Sequence, residues 1–389
     1  MITVEKIGGT SMSQFGDVLK NIMLLDPKSV YGRVYVVSAY SGVTNELLEH
    51  KKTGAAGIYA KFAHGEGYAA AMEALLRKLQ GINKEMAPLG LDLVKADGFL
   101  EKRFKELLGY LDSMRHVLAS GYLSRDNVLL AAREMLAAIG EAHSAFNSVE
   151  ILRARGYPAS FMDLTGFDDD ETWTIDERIH RYFQDVDPEK QVVVVTGYTK
   201  GSEGIMREFD RGYSEITFAK VAVELEADEA IIHKEFHLSS ADPDLVGGPQ
   251  NVVPVGQTNY DVADQLADVG MEAIHPKAAK PIEMAGIAIR LKNTFEPDHP
   301  GTLITKTYVG KQARIEIIAG SAKVTAVEIH DPSMVGTVGF DLGLMEIFRK
   351  FGISYILKAT NANSITHVVW EKSMTPAFLE ELENVYEVV

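Results

Sequence analysis

The first residues that could do chemistry together lie near the amino terminus. Lys6 precedes the pair Gly8-Gly9, and the hydroxyl residues Thr10 and Ser11 follow it. Two glycines let the backbone approach a phosphate closely, hydroxyl groups donate hydrogen bonds to it, and a lysine offers a compact positive charge. The pattern is neither the P-loop nor the dinucleotide-binding fingerprint, and short glycine motifs have a high false-positive rate. A structural turn with a surface lysine therefore stays open as the alternative to an anion site.

Two charged residues further along the chain are also placed where a ligand could reach them. Arg211 stands before Gly212 at the predicted start of a helix, which suits bidentate capture of a carboxylate or a phosphate. Gly140 and Glu141 lie inside a long helical pattern, where a glycine costs about 1 kcal/mol relative to alanine. Close approach of a strand or a ligand would explain this glycine and would leave Glu141 facing a cleft. The alternative is a contact between helices with Glu141 in solvent.

The composition argues against several classes of partner and site. The 389 residues include 39 Lys and Arg against 55 Asp and Glu, and the net charge of −16 argues against nucleic acid or an anionic membrane as a partner. Without cysteine, disulfides and thiolate metal sites are excluded. The acidic run at 168–171 lacks the spacing of a calcium loop, so we predict no metal-ligating residues. No apolar run reaches membrane-spanning length, and we expect a soluble cytoplasmic protein.

An alternation of strands and helices would position these residues. Thr3, Val4 and Ile7 suit a buried first strand, and further apolar strands are predicted at 34–39, 159–162, 191–196, 230–233 and 287–291. Helical patterns occupy 17–26, most of 46–120, 124–155, 216–226 and 261–269. Polar or glycine-rich turns follow several strands, and open α/β sheets bind their ligands at such turns. The sequence therefore predicts an open α/β sheet whose turns carry the site.

The pattern changes after Gly310. Short strands are predicted at 324–329, 353–357, 364–370 and 385–389, and they alternate with helices at 338–351 and 376–382. This alternation predicts a small α+β sandwich, distinct from the first domain.

Assembled in order, these motifs resemble the aspartate kinases of the amino-acid kinase family over nearly the whole chain. Each motif of the family has a counterpart at the matching place. The counterparts are Lys6 to Ser11 for Lys-Phe-Gly-Gly-Thr-Ser; Ser38, Ala39 and Gly42 to Asn45 for Ser-Ala and Gly-Val-Thr-Asn; Gly140-Glu141 for Gly-Glu; Arg211 to Glu215 for Arg-Gly-Gly-Ser-Asp; Ile274 to Pro276 for Leu-His-Pro; and Lys292 to Phe295 with Gly301 to Leu303 for Lys-Asn-Thr-Phe and Gly-Thr-Leu.

Three places depart from the family pattern. The nucleotide segment, usually Thr-Asp-Val-Asp-Gly-Val-Tyr, is His233 to Ser239 here, followed by Asp242-Pro243. Glu272 replaces a lysine before the His-Pro motif, and Tyr213 and Glu215 replace Gly and Asp. The His-Lys-Glu-Phe-His segment is similar to the aspartokinases that serve synthesis of the osmolyte ectoine, which would fit the acidic chain.

The resemblance implies an α/β fold with an open, mostly parallel sheet and helices on both faces, followed by an ACT-like module. The catalytic domain would span 1–309, with an aspartate lobe at about 1–195 and a nucleotide lobe at about 196–309. Residues 310–389 would form the ACT-like module, through which the chain would form a homodimer. A second module, common in the family, would be missing, either because the chain is shortened or because its regulatory region is naturally reduced. Which effector inhibits it, if any, is not indicated.

The implied reaction is transfer of the ATP γ-phosphoryl group to the β-carboxylate of L-aspartate, with Mg²⁺ carried by ATP. Lys6 and Arg211 would be catalytic. Aspartate would contact the set Ser38, Thr44, Glu141, Arg211 and Ser214. The nucleotide would contact the set Lys6, Gly8, Gly9, Thr10, Ser11, His233, Lys234, Ser239 and Asp242.

Two alternatives remain at this stage. One is another amino-acid kinase, acting on glutamate or acetylglutamate. The other is a non-catalytic amino-acid sensor, which the altered nucleotide segment would permit. Glu141 with Arg211 favours a free α-amino acid as the ligand, and the ACT-like tail favours aspartate.

Overall fold

A computed structural model of the chain describes residues 1–27, 29–51, 53–209, 212–271 and 273–389. The chain divides into two compact units, one formed by 1–263 with 273–317 and the other by 264–272 with 318–389. The sequence-based boundary at 310 did not include 264–272 in the second unit. None of the helices in the described ranges is long and apolar enough to span a bilayer.

An eight-stranded sheet forms the centre of the first unit, in the order β3-β4-β2-β1-β5-β7-β8-β6. The strands are β1 (Thr3–Ile7), β2 (Arg33–Val37), β3 (Ala159–Met162), β4 (Val192–Thr196), β5 (Glu229–Lys234), β6 (Gln257–Asn259), β7 (Ala288–Asn293) and β8 (Thr302–Thr305). All neighbouring pairs are parallel except β7 with β8. The prediction of an open, mostly parallel α/β sheet is confirmed.

The helices of this part of the chain differ widely in length. They are α1 (Gly9–Ser13), α2 (Phe15–Val18), α3 (Val43–Leu47), α4 (Ile58–His64), α5 (Tyr68–Met86), α6 (Leu93–Ser120), α7 (Arg125–Ala154), α8 (Ile175–Phe183), α9 (Ile205–Phe209), α10 (Tyr213–Glu224), α11 (Tyr260–Asp268) and α12 (Pro276–Met284).

The first helical segment differs from its prediction. The apolar stripe at 17–26 predicted a helix there, but helical structure begins at Gly9, directly after the glycine turn. Gln14 adopts a non-helical conformation (φ −106°, ψ 52°) and separates α1 from α2. A π-helical turn at Leu19–Met23 then ends the segment. The stripe itself is real, because Val18, Leu19, Ile22 and Met23 are buried.

The central strand β1 brings the predicted turns to one edge of the sheet. It pairs with β2 on one side and with β5 on the other, with Ile7 opposite Val37 and His233. Because these strands are parallel, their carboxyl ends and the turns that follow them meet at the same edge. Successive side chains of β1 point to opposite faces of the sheet, so Glu5 and Lys6 serve different surroundings.

The second unit contains an antiparallel sheet in the order β10-β11-β9-β12. Its elements are β9 (Val324–His330), α13 (Phe340–Lys350), β10 (Leu357–Thr360), β11 (Ser364–Trp370), α14 (Pro376–Glu383) and β12 (Glu387–Val388). Phe348 and Phe378 of the two helices pack with Ile329 and Ile365 of the sheet in one apolar core. The small α+β module is therefore confirmed, whereas the strand predicted at 353–357 begins only at Leu357.

Candidate active site

Lys6 forms an ion pair at the edge where the parallel strands end. Its Nζ lies 3.0 Å from Oε1 of Glu215, and the side chains are 12% and 14% exposed. Glu215 lies in the first turn of α10, and its Oε2 accepts a hydrogen bond of 2.7 Å from the backbone N–H of His275. Burial alone would raise the pKa of Glu215, but the charges of Lys6 and Lys234 lower it to about 2. Glu215 therefore holds Lys6 in place as a permanent anion.

Glu141 lies in the buried middle of α7 and is only 2% exposed. Its Oε1 accepts a hydrogen bond of 2.7 Å from the Ser214 hydroxyl, whereas Oε2 has no hydrogen-bond partner among the described residues. Burial raises the pKa of Glu141 to about 8, against the opposing effects of Ser214 and the Lys6 charge. A buried carboxylate oxygen without a partner is costly unless a ligand supplies a donor. The alternative that placed Glu141 in solvent is wrong.

Close backbone approaches explain two glycines around this carboxylate. A Cβ on Gly140 would lie 2.6 Å from the Cβ of Ala39, so the helix α7 packs directly on the chain that leaves β2. A Cβ on Gly197 would lie 2.7 Å from the carbonyl oxygen of Val37 and 3.0 Å from Oε2 of Glu141. Any side chain at either position would push α7 or the β4 turn away from the site.

The segment after β2 supplies two further predicted residues. The carbonyl oxygen of Ser38 accepts a hydrogen bond of 2.9 Å from the hydroxyl of Ser144, three residues beyond Glu141 on α7. Thr44 lies half-buried on the short helix α3, and its hydroxyl makes no hydrogen bond to the described part of the chain. The structure thus ties Ser38 to the helix that carries Glu141 and leaves the Thr44 hydroxyl available.

The glycine turn after β1 has one face open and one face packed. A Cβ on Gly9 would lie 2.6 Å from the carbonyl oxygen of Ala39, whereas one on Gly8 would meet nothing closer than 3.8 Å. Thr10 is exposed. The Ser11 hydroxyl is buried and lies 2.9 Å from the Thr294 hydroxyl. Ser11 therefore joins the turn to the segment after β7, and its contact with a phosphate stays a prediction.

His233 lies on the other face of the sheet, away from Lys6. Its Nε2 lies 2.7 Å from Oε2 of Glu5, and both side chains are buried. Glu5 is also held by the Arg33 guanidinium, with distances of 2.6 and 2.9 Å. Although burial opposes it, this neighbouring positive charge holds the pKa of Glu5 far below its usual range. The contact with Glu5 occupies the His233 side chain, and the sequence-based assignment of His233 to the nucleotide stays a prediction.

The other residues of the predicted nucleotide segment lie apart from this cluster. Lys234 ends β5, and its charge acts on Glu215. The Ser239 hydroxyl is buried and donates to the carbonyl oxygen of His237 at 3.2 Å. Asp242 is exposed, and its Oδ1 accepts a hydrogen bond of 2.9 Å from the backbone N–H of Asp244. No described contact links Ser239 or Asp242 to Lys6.

The remaining predicted residue, Arg211, lies outside the described residues, as does Glu272. The residues that follow it in the sequence are described. Gly212 packs against the His275 ring, since a Cβ there would lie 3.0 Å from the ring. Ser214 and Glu215 follow within one turn of α10 and contact Glu141 and Lys6 respectively. Across the ranges that the structure describes, no three His, Cys, Asp or Glu side chains are grouped to hold a metal ion.

The geometry adds one residue that the sequence analysis did not assign a role. Glu215 appeared only as a departure from a family motif, yet it is the partner of Lys6. The signal in the sequence was that Glu215 directly follows Ser214, a predicted site residue. Both lie in the first turn of one helix, so both side chains lie near the same edge of the sheet. A carboxylate oxygen without a partner (Glu141), a cation held by an anion (Lys6), and a glycine turn with one open face together suit a zwitterion and a phosphate.

Comparisons with known proteins identify the family of the chain and several of its relatives. Residues 1–293 match the model of the amino acid kinase family. The chain is 47% identical over 372 residues to the aspartate kinase Ask_Ect of Stutzerimonas stutzeri, covering 94% of this chain and 78% of that protein. It is 28% identical over 299 residues to the chloroplastic aspartokinase 1 of Arabidopsis thaliana, covering 72% of this chain and about half (51%) of that protein.

A solved structure shows the same fold. Aspartokinase III of E. coli, in complex with aspartate and ADP, matches 100% of this chain and 85% of its own with a TM-score of 0.72. The two sequences are 20% identical, so this likeness concerns the fold alone.

Proposed function

The chain belongs to the amino acid kinase family, and from this premise we propose that it is an aspartate kinase. It transfers the γ-phosphoryl group of ATP to the β-carboxylate of L-aspartate and gives 4-phospho-L-aspartate. The observation that carries this assignment is the buried Glu141, which forms no ion pair with the described residues and keeps one oxygen without a hydrogen-bond partner. The charge of Lys6 acts on this carboxylate. Such a carboxylate needs a small cation, and the α-ammonium group of an amino acid supplies one.

In this proposal the amino acid lies between α7 and the start of α10. Its α-ammonium group binds Oε2 of Glu141, whose other oxygen is oriented by Ser214. Arg211 binds the α-carboxylate, and the Thr44 hydroxyl and the Ser38 segment line the remaining side. Two opposite charges would orient the substrate, so that its β-carboxylate points toward Lys6.

Lys6 acts on the transferring group. The β-carboxylate of aspartate is ionised at neutral pH and attacks the γ-phosphorus without a general base. The bond from the γ-phosphorus to the ADP leaving oxygen breaks as the new bond to the carboxylate oxygen forms, and charge spreads over the transferring oxygens. Lys6 stabilises that charge, and its ion pair with Glu215 fixes its Nζ before ATP arrives.

The nucleotide phosphates bind at the turn after β1. The backbone N–H groups of the first helical turn have no partner within α1, so Gly8, Gly9 and Thr10 offer donors to the β- and γ-phosphates. Ser11 contributes its backbone only. Lys234, Ser239 and Asp242 remain the proposed contacts to the rest of the nucleotide, together with the backbone of His233, whose carbonyl oxygen lies beside Gly8. Mg²⁺ would come bound to ATP and would neutralise part of the phosphate charge.

We assign the product to aspartate-derived biosynthesis, in the branch that makes ectoine. Two observations support the branch. The chain is 47% identical to the aspartate kinase Ask_Ect and 28% identical to a chloroplastic aspartokinase. Its nucleotide segment also carries the His-Lys-Glu-Phe-His sequence at 233–237.

We also propose that the ACT-like unit makes the protein a homodimer. The strands β10 and β12 form the edges of its four-stranded sheet. The side chains of Tyr355 and Leu357, at the β10 edge, are 45% and 59% exposed. A sheet this small with open edges is stabilised by pairing with a second copy.

A coupled assay of ADP release tests the proposed reaction. The assay compares L-aspartate, L-glutamate and no acceptor, each with ATP and Mg²⁺. ADP release that requires L-aspartate supports the proposal. Equal or faster release with L-glutamate assigns another amino-acid kinase, and no release with either, despite aspartate binding, assigns a sensor.

A further inference from the structure

A cavity lies in the first unit beside the proposed aspartate pocket. Its volume is about 500 Å³, which is in the range of small-molecule sites. The walls come from α6, α7, the chain after β3 and the chain after β4. Tyr110, Phe167 and Tyr198 supply aromatic rings, and Leu130 and Met135 supply aliphatic surface.

Glu134 of α7 is the fixed charge in this cavity. Its Oε2 accepts a hydrogen bond of 2.7 Å from the Tyr198 hydroxyl, and its Oε1 accepts one of 2.8 Å from the backbone N–H of Met206. Each carboxylate oxygen can accept a second hydrogen bond. Glu134 forms no ion pair with the described residues, and partial burial raises its pKa despite these hydrogen bonds. The backbone N–H and the positive charge of Arg207 also oppose this rise, so the carboxylate is held rigidly with one guanidinium nearby.

The other charged side chains of the lining are satisfied or lie at the rim. Asp169 is paired with the Arg178 guanidinium at 2.7 and 3.0 Å and with Lys200 at 3.5 Å. Glu203 accepts the backbone N–H of Ile175 at 3.0 Å. Asp170 and Arg207 are exposed.

Arg207 lies close to Glu134. A Cβ on Gly204 would lie 3.0 Å from Oε1 of Glu134 and 3.5 Å from the Cβ of Arg207, so only the glycine backbone separates the two residues. The Arg207 guanidinium makes no hydrogen bond within the part of the chain that the structure describes, but its charge acts on Glu134. The cavity therefore presents a carboxylate, an exposed arginine whose charge acts on it, and apolar walls.

We propose that this cavity binds a second small zwitterion, an α-amino acid with an apolar side chain. Its ammonium group would pair with Glu134 beside the ring of Tyr198, and its carboxylate with Arg207. Its side chain would lie against Leu130, Met135 and the aromatic walls. An ammonium and a carboxylate on one carbon would suit two opposite charges that stand on either side of the Gly204 backbone.

The cavity is separate from the aspartate pocket but adjoins it. Glu134 precedes Glu141 by two turns of α7, about 10 Å along the helix axis. Tyr198 follows Gly197, whose backbone touches both Glu141 and Ser214. A ligand packed on Tyr198 therefore stiffens the wall that the two sites share. The binding itself does not depend on the proposed function, but the effect on aspartate affinity rests on it.

Isothermal titration with five amino acids tests the proposal. The probes are L-leucine, L-isoleucine, L-valine, L-methionine and L-phenylalanine, each titrated into the full chain with and without saturating L-aspartate. We expect at least one to bind with a Kd of about 1 mM or below in both conditions. The amine that lacks its carboxylate, and the acid that lacks its amine, should each bind at least tenfold more weakly. Binding by none of the five would overturn the proposal.

Three matched variants locate the bound probe. Glu134→Gln keeps the shape of the side chain and should weaken binding at least tenfold. Glu150→Gln makes the same change on the same helix, where Glu150 is paired with Lys95 and Arg153, and should leave the Kd unchanged. Glu141→Gln should still bind the probe. Each variant is first checked for a cooperative thermal transition.

Two results would refute the assignment. Unchanged affinity in Glu134→Gln would exclude the cavity as the binding site. Loss of binding in Glu141→Gln, with competition by L-aspartate, would place the probe in the aspartate pocket. A chain that binds the probe but shows no aspartate-dependent ADP release would refute the proposed function and leave the cavity assignment standing.

Discussion

Replacing Glu141 by glutamine should stabilise the protein and weaken its binding of aspartate. The variant keeps the shape of the side chain and the oxygen that accepts from Ser214, and it removes the charge. Burial raises the pKa of Glu141 from 4.5 to about 8 in the folded chain. The free enzyme at neutral pH therefore holds a group that resists ionisation but must be ionised to bind an ammonium.

The effect on stability has a definite sign. Between pH 4.5 and about 8 the folded chain keeps the Glu141 proton and the unfolded chain does not. The stabilising contribution is complete below pH 4.5 and is lost as the pH rises through this window. A difference of one in pKa corresponds to about 1.4 kcal/mol, so the loss reaches roughly 3 kcal/mol at pH 7. Glutamine does not ionise, and the variant should be more stable at pH 7 to 8 by an amount of this order.

The effect on binding follows from the same proton. With a pKa of about 8, only about a tenth of Glu141 is ionised at pH 7. The apparent Kd for L-aspartate should therefore be about tenfold weaker at pH 7 than above pH 8.5, and binding at pH 7 should release nearly one proton. The glutamine variant should lose about 2–5 kcal/mol of aspartate binding at high pH, because the ammonium group meets no charge.

Two measurements check this reasoning. Denaturant unfolding at pH 6 and 8 compares the variant with wild type, and titration calorimetry in two buffers of different ionisation heat counts the released protons. Glu150→Gln serves as the control and should destabilise, since it breaks ion pairs with Lys95 and Arg153. A glutamine variant that is less stable than wild type at pH 8, or an aspartate Kd that is flat from pH 6 to 8.5, would refute the argument.

Four further outcomes are expected. Lys6→Ala should lower kcat by at least 100-fold and change the aspartate KM far less, as steady-state kinetics would show, because its charge acts mainly in the transition state. Glu215→Gln should lose roughly 3 kcal/mol of unfolding free energy at pH 7 but little near pH 2, since the stabilisation from its lowered pKa disappears as the pH falls from 4.5 to about 2. Arg211→Ala should weaken aspartate binding by about 2–5 kcal/mol in calorimetry, with an unchanged Kd removing it from the pocket. The full chain should sediment as a dimer and a chain ending at Lys311 as a monomer; identical sedimentation of both would exclude the ACT-like unit as the dimer contact.

Local sequence patterns predicted the first strand, the glycine turn after it and the close approach at Gly140. The turn at Gly8-Gly9 and the buried strand before it follow from apolar spacing and from glycine geometry. Gly140 in a helix interior indicated a close approach, and the structure shows Ala39 as the neighbour. A glycine inside a regular element lowers its stability, and the close approach of another part of the chain explains why glycine is needed there.

Long-range pairing was beyond the reach of such patterns. The ion pair of Lys6 with Glu215 joins residues 209 positions apart, and it depends on the alignment of β1 with α10. The side chain of His233 faces Glu5 because Ile7 pairs with His233, and the opposite face was equally compatible with the sequence of β5. The strands β6 and β8 are short and partly polar, so their periodicity did not separate them from loops.

The neighbouring residues Glu5 and Lys6 also specify the register of β1 in the sheet. Sliding β1 by one position would turn Lys6 toward Arg33 and Glu5 toward Glu215, so that like charges would meet on both faces of the sheet at once. Unpaired like charges in a buried site cost several kcal/mol. The side chains that form these two ion pairs in the folded chain thus disfavour a misaligned β1 during folding.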